Sequence, residues 1–339
     1  MKVIQVGMGR WGRNWYRTHL SDFRGLTVAA IVDQSAETLE QSRSELGIQK
    51  VSCFTSLSEA LGSVSADAVI VTAALTGHVP ICREALGAGL HVLTEKPFAP
   101  RIRDAKALVK LSEERQRVLM VSQNYRYYPA VRTVQSLLNA GTFGDPHAIS
   151  LDFRKFANTA PKEGHKHYHI DHPLLMDMAI HHFDLLRLIC GTEPIEVFCQ
   201  GINPSWSKFD DPPAVFGMIK FPGDLVVSYR GSWISHRSDT SWAGTWSIEC
   251  EKGEISWESR GTEDALADRV TVTKLGKDSK EVTLKKVKHL DRSGALDAFA
   301  RAIRTGEEPE TSGADNIGTL ELMFAMRRSV EFEKPVKLG

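Results

Sequence analysis

Along the first 122 residues, short apolar runs alternate with amphipathic stretches in the order strand, helix, strand, helix. Val3–Gly7 reads as a strand, Trp11–Leu20 as a helix, Leu26–Asp33 as a strand and Ala36–Leu46 as a helix. The alternation continues through a short run at Val51–Phe54, a strand at Asp67–Thr72 and a helix ending before Gly89. It closes with a strand at His91–Glu95, a helix near Asp104–Glu114 and a run at Val118–Ser122. Strands rich in valine and isoleucine, separated by helices, predict a parallel sheet covered on both faces.

From Asn124 the pattern changes. A helix ending near Asn139 leads to a strand at His147–Phe156, a polar loop and a strongly apolar helix from Leu174 to Cys190. Hairpins follow: Ala214–Phe221 and Leu225–Ile234 are joined by Pro222-Gly223-Asp224, and Trp246–Glu251 turns at Lys252-Gly253 into Glu254–Trp257. Helices at Gly294–Arg304 and Ile317–Phe332 precede a strand-like tail at Val336–Leu338. The expected organisation is an α/β domain with a parallel sheet over 1–122. An α+β domain with an open, mainly antiparallel sheet follows over 123–339, its tail free to pack back on the first domain.

A chain of 339 residues exceeds one comfortable core and suits two domains. Lysine plus arginine balance aspartate plus glutamate at 42 each, with no basic block, which argues against nucleic acid as a partner. Cys53, Cys82, Cys190, Cys199 and Cys250 are scattered and form no C-x-x-C pair, the usage of reduced thiols in a cytosol. No stretch reaches the roughly 18 apolar residues of a membrane span, and an apparent strand stands directly after Met1, so the expectation is a cytoplasmic protein.

Gly7-Met8-Gly9-Arg10-Trp11-Gly12 fits G-x-G-x-x-G and stands where the first strand gives way to the first helix. There Gly7 allows the tight turn, Gly9 lets the backbone approach a pyrophosphate, and Gly12 admits close helix packing. Asp33 ends the second strand, where an acidic group accepts hydrogen bonds from ribose hydroxyls. No arginine or lysine follows at once, which favours NAD and leaves NADP open. The competing role for Asp33 is capping the helix at Ala36.

Lys96, in Thr94-Glu95-Lys96-Pro97, lies at the carboxyl end of the fifth strand, where open parallel sheets bind ligands. A lysine there can hydrogen-bond a substrate oxygen or move a proton; standing alone it would read as a surface residue. On the apolar helix, Asp177, His181 and Asp184 fall at i, i+4 and i+7. Either His181 exchanges a proton while Asp177 supports it, or the two form a satisfied structural pair.

Taken in order, the glycine-rich turn, Asp33, His78 before Ala88-Gly89, Glu95-Lys96-Pro97, Asn124-Tyr125-Arg126 and the 177–181 motif resemble the Gfo/Idh/MocA oxidoreductases. The likeness extends to the terminal helix and tail. It implies a Rossmann domain, a second domain that often mediates oligomerisation as homodimers or homotetramers, and hydride transfer between nicotinamide and a sugar, inositol or related polyol. It assigns Lys96, Asp177 and His181 as the catalytic group, without settling which is the base. It places Thr72, Ala73, Leu75, His78 and Glu95 beside the cofactor, and Asn124 and Arg126 beside the substrate. Two departures stand out: Ala73-Ala74 where many relatives carry Thr-Pro, and Ala179 for the family glycine.

The loop holding His165, His167, His169 and His172 lacks zinc-helix spacing and nearby cysteine, so no metal is expected. Contact of His169 or Asp171 with substrate hydroxyls is the better use, against a plain solvated loop. Arg154 is a further substrate candidate, against a surface ion pair. Besides a net dehydrogenase, the sequence allows an enzyme that recycles tightly held NAD and a non-catalytic sensor of NAD(P).

Overall fold

The computed structural model describes residues 1–49, 52–261 and 268–339. Two compact units result: Met1–Asn124 with Arg292–Ile317, and Tyr125–Asp291 with Gly318–Gly339. The run expected from Val51 begins outside the described residues.

In the first unit β1 (Lys2–Val6), α1 (Arg10–Trp15), β2 (Thr27–Val32), α2 (Ala36–Leu46), β3 (Cys53–Phe54) and α3 (Leu57–Ser63) are followed by β4 (Ala68–Val71), α4 (Leu75–Gly87), β5 (His91–Thr94), α5 (Ile102–Glu114) and β6 (Leu119–Val121). The sheet runs β3-β2-β1-β4-β5-β6 and every pairing is parallel. The strand order reverses between β1 and β4, so a crevice opens at their carboxyl ends. All four residues of β4 are buried, as a strand covered on both faces requires. The helix expected over 11–20 is α-helical only to Trp15; Tyr16–Leu20 continue it as a π-helix.

Residues 292–317 belong to this unit, a return that the sequence boundary did not place. The cause is a bare sheet edge. The Val121 amide donates to the Thr311 carbonyl (2.9 Å), the Thr311 hydroxyl donates to the Val121 carbonyl (2.8 Å), and Ser312 bridges Met120. The tail itself stays with the second unit.

The second unit holds α6 (Pro129–Asn139), β7 (Pro146–Arg154), α7 (Ile180–Cys190), β8 (Glu196–Ile202), β9 (Ala214–Lys220), β10 (Val226–Ser232), β11 (Thr245–Cys250), β12 (Gly253–Glu258), β13 (Arg269–Lys274) and β14 (Lys280–Glu281). After α8 (Asp291–Thr305), α9 (Gly313–Phe332) leads to β15 (Val336–Lys337). Nine strands form one sheet in the order β14-β13-β12-β11-β7-β10-β9-β8-β15, parallel only at β7/β10. One face is apolar: Phe153 meets His182 (5.1 Å between ring centroids) and Tyr229 meets Phe183 (5.4 Å). Alternation sends Asp152, Arg154, Phe216 and Met218 to the other face. Among the described residues no helix is long and apolar enough to cross a membrane.

Candidate functional site

In the first unit the glycines of the first turn answer three different demands. Gly7 adopts φ +98°, and a Cβ there would overlap the backbone of Ala73. A Cβ on Gly12 would overlap the Gly7 carbonyl. Gly9 is different, since a Cβ there would meet nothing within 4 Å. Packing therefore explains Gly7 and Gly12, whereas Gly9 leaves open space beside the start of α1. That start carries no side-chain cap and no acidic residue in its first turn, leaving amide donors and positive dipole for an anion.

Polar side chains fix this turn from beneath. Gln5 donates to the Gly12 carbonyl (2.8 Å) and to Thr72 Oγ1 (3.1 Å), and Thr72 donates to the Gly7 carbonyl (2.7 Å). The Met8 side chain is fully buried against Ile31 and Leu39, so Met8 reaches the site only through its backbone. Its amide donates to Asp33 Oδ2 (2.7 Å), and the Ser35 amide donates to Asp33 Oδ1 (3.0 Å). Ser35, not Asp33, caps α2, accepting from the Thr38 amide at 3.1 Å. Asp33 thus holds a carboxylate rigidly at the end of β2, each oxygen retaining a further lone pair.

Arg10 and Trp11 are exposed at the lip of the turn, and the guanidinium of Arg292 lies 4.5 Å from the Trp11 ring centroid. Leu75 opens α4. Buried His78 ties two loops together, Nδ1 lying 2.8 Å from the Pro97 carbonyl and Nε2 2.9 Å from the Ala73 carbonyl. Burial lowers its proton affinity, while the two carbonyls work in the opposite direction. Glu95 is buried and accepts from the Trp15 indole (2.6 Å) and from the Lys96 amide (3.2 Å). Its charge is used to hold the β5 exit, and half-buried Lys96 follows directly, on a cis peptide to Pro97. Asn124, buried, opens a short 3-10 turn to Tyr127.

In the second unit the expected helix over 174–190 is π-helical from Leu174 to Ala179 and α-helical from Ile180. A π-turn adds residues per turn, so positions 177, 181 and 184 do not form one α-helical stripe. The Asp177 side chain is 45% exposed, whereas His181 and Asp184 are buried residues. The Asp177 carboxylate lies 3.8 Å from His167 Nε2, so the histidine loop reaches this site through His167. His181 stacks on Tyr125, centroids 4.1 Å apart and planes 3° from parallel. Its neighbour His182 turns toward the sheet, with Nε2 3.0 Å from the Trp242 carbonyl and Nδ1 3.1 Å from the Tyr229 hydroxyl. Burial pushes His182 down to about 4, so it is a neutral core residue.

Four side chains expected at the substrate have other partners. Arg126 is buried and bidentate with Asp184, at 2.7 Å for both bonds, and Thr319 also donates to that carboxylate. This fork-to-fork pair takes two of the five guanidinium donors and fixes the plane of the group. Arg154 extends onto the face of the sheet opposite α7 and pairs with Asp152. His169 is exposed and bound to Asp210 (2.6 Å), which also meets Lys162 (2.7 Å). Asp171 pairs with His172 (2.7 Å) and Arg327 (2.9 Å). Together with Asp211 it makes the group among the described residues with metal-ligand spacing, yet the Arg327 cation occupies one of its oxygens.

A glycine-rich turn, an acidic residue at the end of β2 and open space at the strand-order reversal define a dinucleotide-binding oxidoreductase class. Residues 1–123 match the oxidoreductase family with the NAD-binding Rossmann fold, and residues 131–256 match the GFO/IDH/MocA C-terminal domain. The chain belongs to the GFO/IDH/MocA oxidoreductases. It is similar to myo-inositol 2-dehydrogenase of Thermotoga maritima, 24% identical over 100% of this chain and 98% of the relative. The aldose-aldose oxidoreductase from Caulobacter crescentus, complexed with glycerol, superposes with TM-score 0.85 at 19% identity, covering 100% and 99% of the two chains. An oxidoreductase from Agrobacterium radiobacter, in complex with NAD+, L-tartaric acid and magnesium, gives TM-score 0.84 at 20% identity, covering 99% and 98%.

Some of these residues were beyond sequence reasoning. His167 was one of four loop histidines with nothing to single it out. Tyr125 was visible as part of a motif, but its stacking was not, and Arg260, which meets Tyr125 from a distant strand end, carried no local signal.

Proposed function

We propose that this protein oxidises a secondary hydroxyl of a sugar, inositol or related polyol, or reduces the matching ketone, with NAD as its preferred dinucleotide. The observation that carries the cofactor reading is the open space at Gly9 beside an uncapped helix start. Asp33 fits ribose hydroxyls, and its fixed negative charge would oppose the 2′-phosphate of NADP. When bound, the nicotinamide supplies the hydride acceptor or donor.

The chain's own residues supply the rest. Lys96 hydrogen-bonds the reacting oxygen, and its positive charge favours the alkoxide character that develops as the hydroxyl loses its proton. His181 takes the proton, and Asp177 together with His167 holds the neighbouring hydroxyls. The stack on Tyr125 fixes the imidazole plane, so proton transfer needs no ring rotation. A polyol is the substrate class best matched by this set, since carboxylate and imidazole groups can each accept a hydroxyl hydrogen bond. The likeness to myo-inositol 2-dehydrogenase points the same way.

We further infer a homodimer or homotetramer joined through the open sheet face, where Phe198, Ile202, Phe216 and Met218 are each at least 40% exposed. Paired charges on that face, Glu196–Lys220 and Asp152–Arg230, suit self-association about a twofold axis. Five free thiols accord with a cytosolic setting.

The test is NADH formation across a panel of inositols, aldoses, uronic acids and glycosides. Turnover on a polyhydroxy compound is expected. A protein that turns over none of them, and that also lacks NAD carried through gel filtration, would overturn the reading; retained NAD would point to recycling within one site.

A further inference from the structure

Arg260 lies in the second unit, far in sequence from every residue assigned so far. Its guanidinium carbon lies 4.5 Å from the Tyr125 ring centroid and 5.8 Å from that of Trp242, and it donates to the Tyr125 hydroxyl. Tyr125 is 2% exposed and is the ring on which His181 stacks. Burial alone would lower the proton affinity of Arg260, but Tyr125, Asp291 and Tyr128 outweigh it, so the cation is permanent.

The backbone beneath this cation is pinned as well. Arg260 adopts φ +57°, a left-handed conformation that costs a non-glycine residue about 1 kcal/mol or more. Two bonds impose it: the Arg260 amide donates to Asp268 Oδ1 (2.9 Å), and the Arg260 carbonyl accepts from the Trp242 amide (2.8 Å). The same Asp268 also accepts from Ser259 Oγ (2.8 Å) and, through its other oxygen, from the Ala130 amide at the start of α6 (2.8 Å). A strained residue held by its surroundings at both backbone groups places its side chain narrowly.

We propose that Arg260 is a positioning residue for the reaction. By clamping the ring and hydroxyl of Tyr125, it fixes the plane against which His181 stacks and hence the direction in which the imidazole exchanges its proton. An unclamped Tyr125 would let the stacked pair tilt, and displacement of a reacting group by about 1 Å costs on the order of 100-fold in rate. This rests on the reading that His181 is the proton-exchanging group.

The test is a double-mutant cycle on the purified full-length protein, reading kcat and KM separately with NAD and its best polyol. Arg260→Met and Tyr125→Leu should each lower kcat by about 10- to 100-fold while leaving both KM values within about 2-fold. The double variant should be no slower than the slower single, because both act through one contact. Arg260→Lys, which keeps the charge and a donor, should recover part of the loss and serves as the folded variant if Arg260→Met fails to fold. Multiplicative losses, a change confined to KM, or unaltered kcat in both Arg260 variants would overturn the proposal. His181→Ala, run alongside, separates the two claims: full activity there would remove the assignment of His181 itself, whatever Arg260 does.

Discussion

At the residue scale, the structure separates side chains that a sequence motif cannot. His181 and His182 are adjacent, yet one stacks on Tyr125 and the other is consumed by the sheet. The difference follows from which way each points off α7, and it has a pH signature. His182 sits at about 4 in the folded chain against about 6.5 when unfolded, so protons bind the unfolded state more tightly in that window. Its contribution to stability should be complete above about pH 6.5 and should fall, by a few kcal/mol, as pH drops toward 4. Tm measured across that range should show this loss, and His182→Gln should flatten it.

Arg126 carries a second residue-scale prediction. A buried ion pair stripped of one partner leaves an uncompensated carboxylate, which costs about 3–5 kcal/mol. Arg126→Met should therefore move the urea midpoint sharply downward. Unchanged stability with a raised KM for the polyol would restore Arg126 to the substrate.

At the element scale, periodicity predicted the parallel sheet and the paired hairpins because burial on one or both faces writes itself directly into alternating or continuous apolar runs. Ala36–Leu46 and His91–Thr94 were readable for that reason. The π-helical stretches at 16–20 and 174–179 were not, since the sequence holds no periodicity that distinguishes an added residue per turn from an α-helix. The return of 292–317 to the first unit was equally hidden, because edge pairing through Thr311 depends on backbone groups that any residue supplies. In the glycine turn the packing demands at Gly7 and Gly12 were legible, as the tight turn and the close helix each exclude a Cβ. Gly9→Ala should keep the wild-type Tm yet weaken NAD binding in a fluorescence titration, whereas Gly12→Ala should unfold or strongly destabilise the protein. Equal effects from both would contradict the separate roles assigned to them.

At the scale of the whole molecule, two kinds of sheet divide the work: one opens a crevice for a dinucleotide at its strand-order reversal, the other supports the π-turn and α7 on one face. The second face keeps large apolar side chains in the open, an arrangement that monomers generally avoid. Phe216→Glu should lower the mass seen by light scattering after gel filtration. An unaltered mass would place the interface elsewhere.

On the proposed reading, Lys96 and His181 perform the proton chemistry of a polyol oxidoreductase. The most direct test is kcat for Lys96→Met and His181→Ala on the best polyol, with NAD affinity measured on the same samples. A fall of at least about 100-fold is expected in each, the usual scale for removing a general acid–base group, with NAD bound as in the wild type. Activity within a few-fold of wild type in either variant would contradict it.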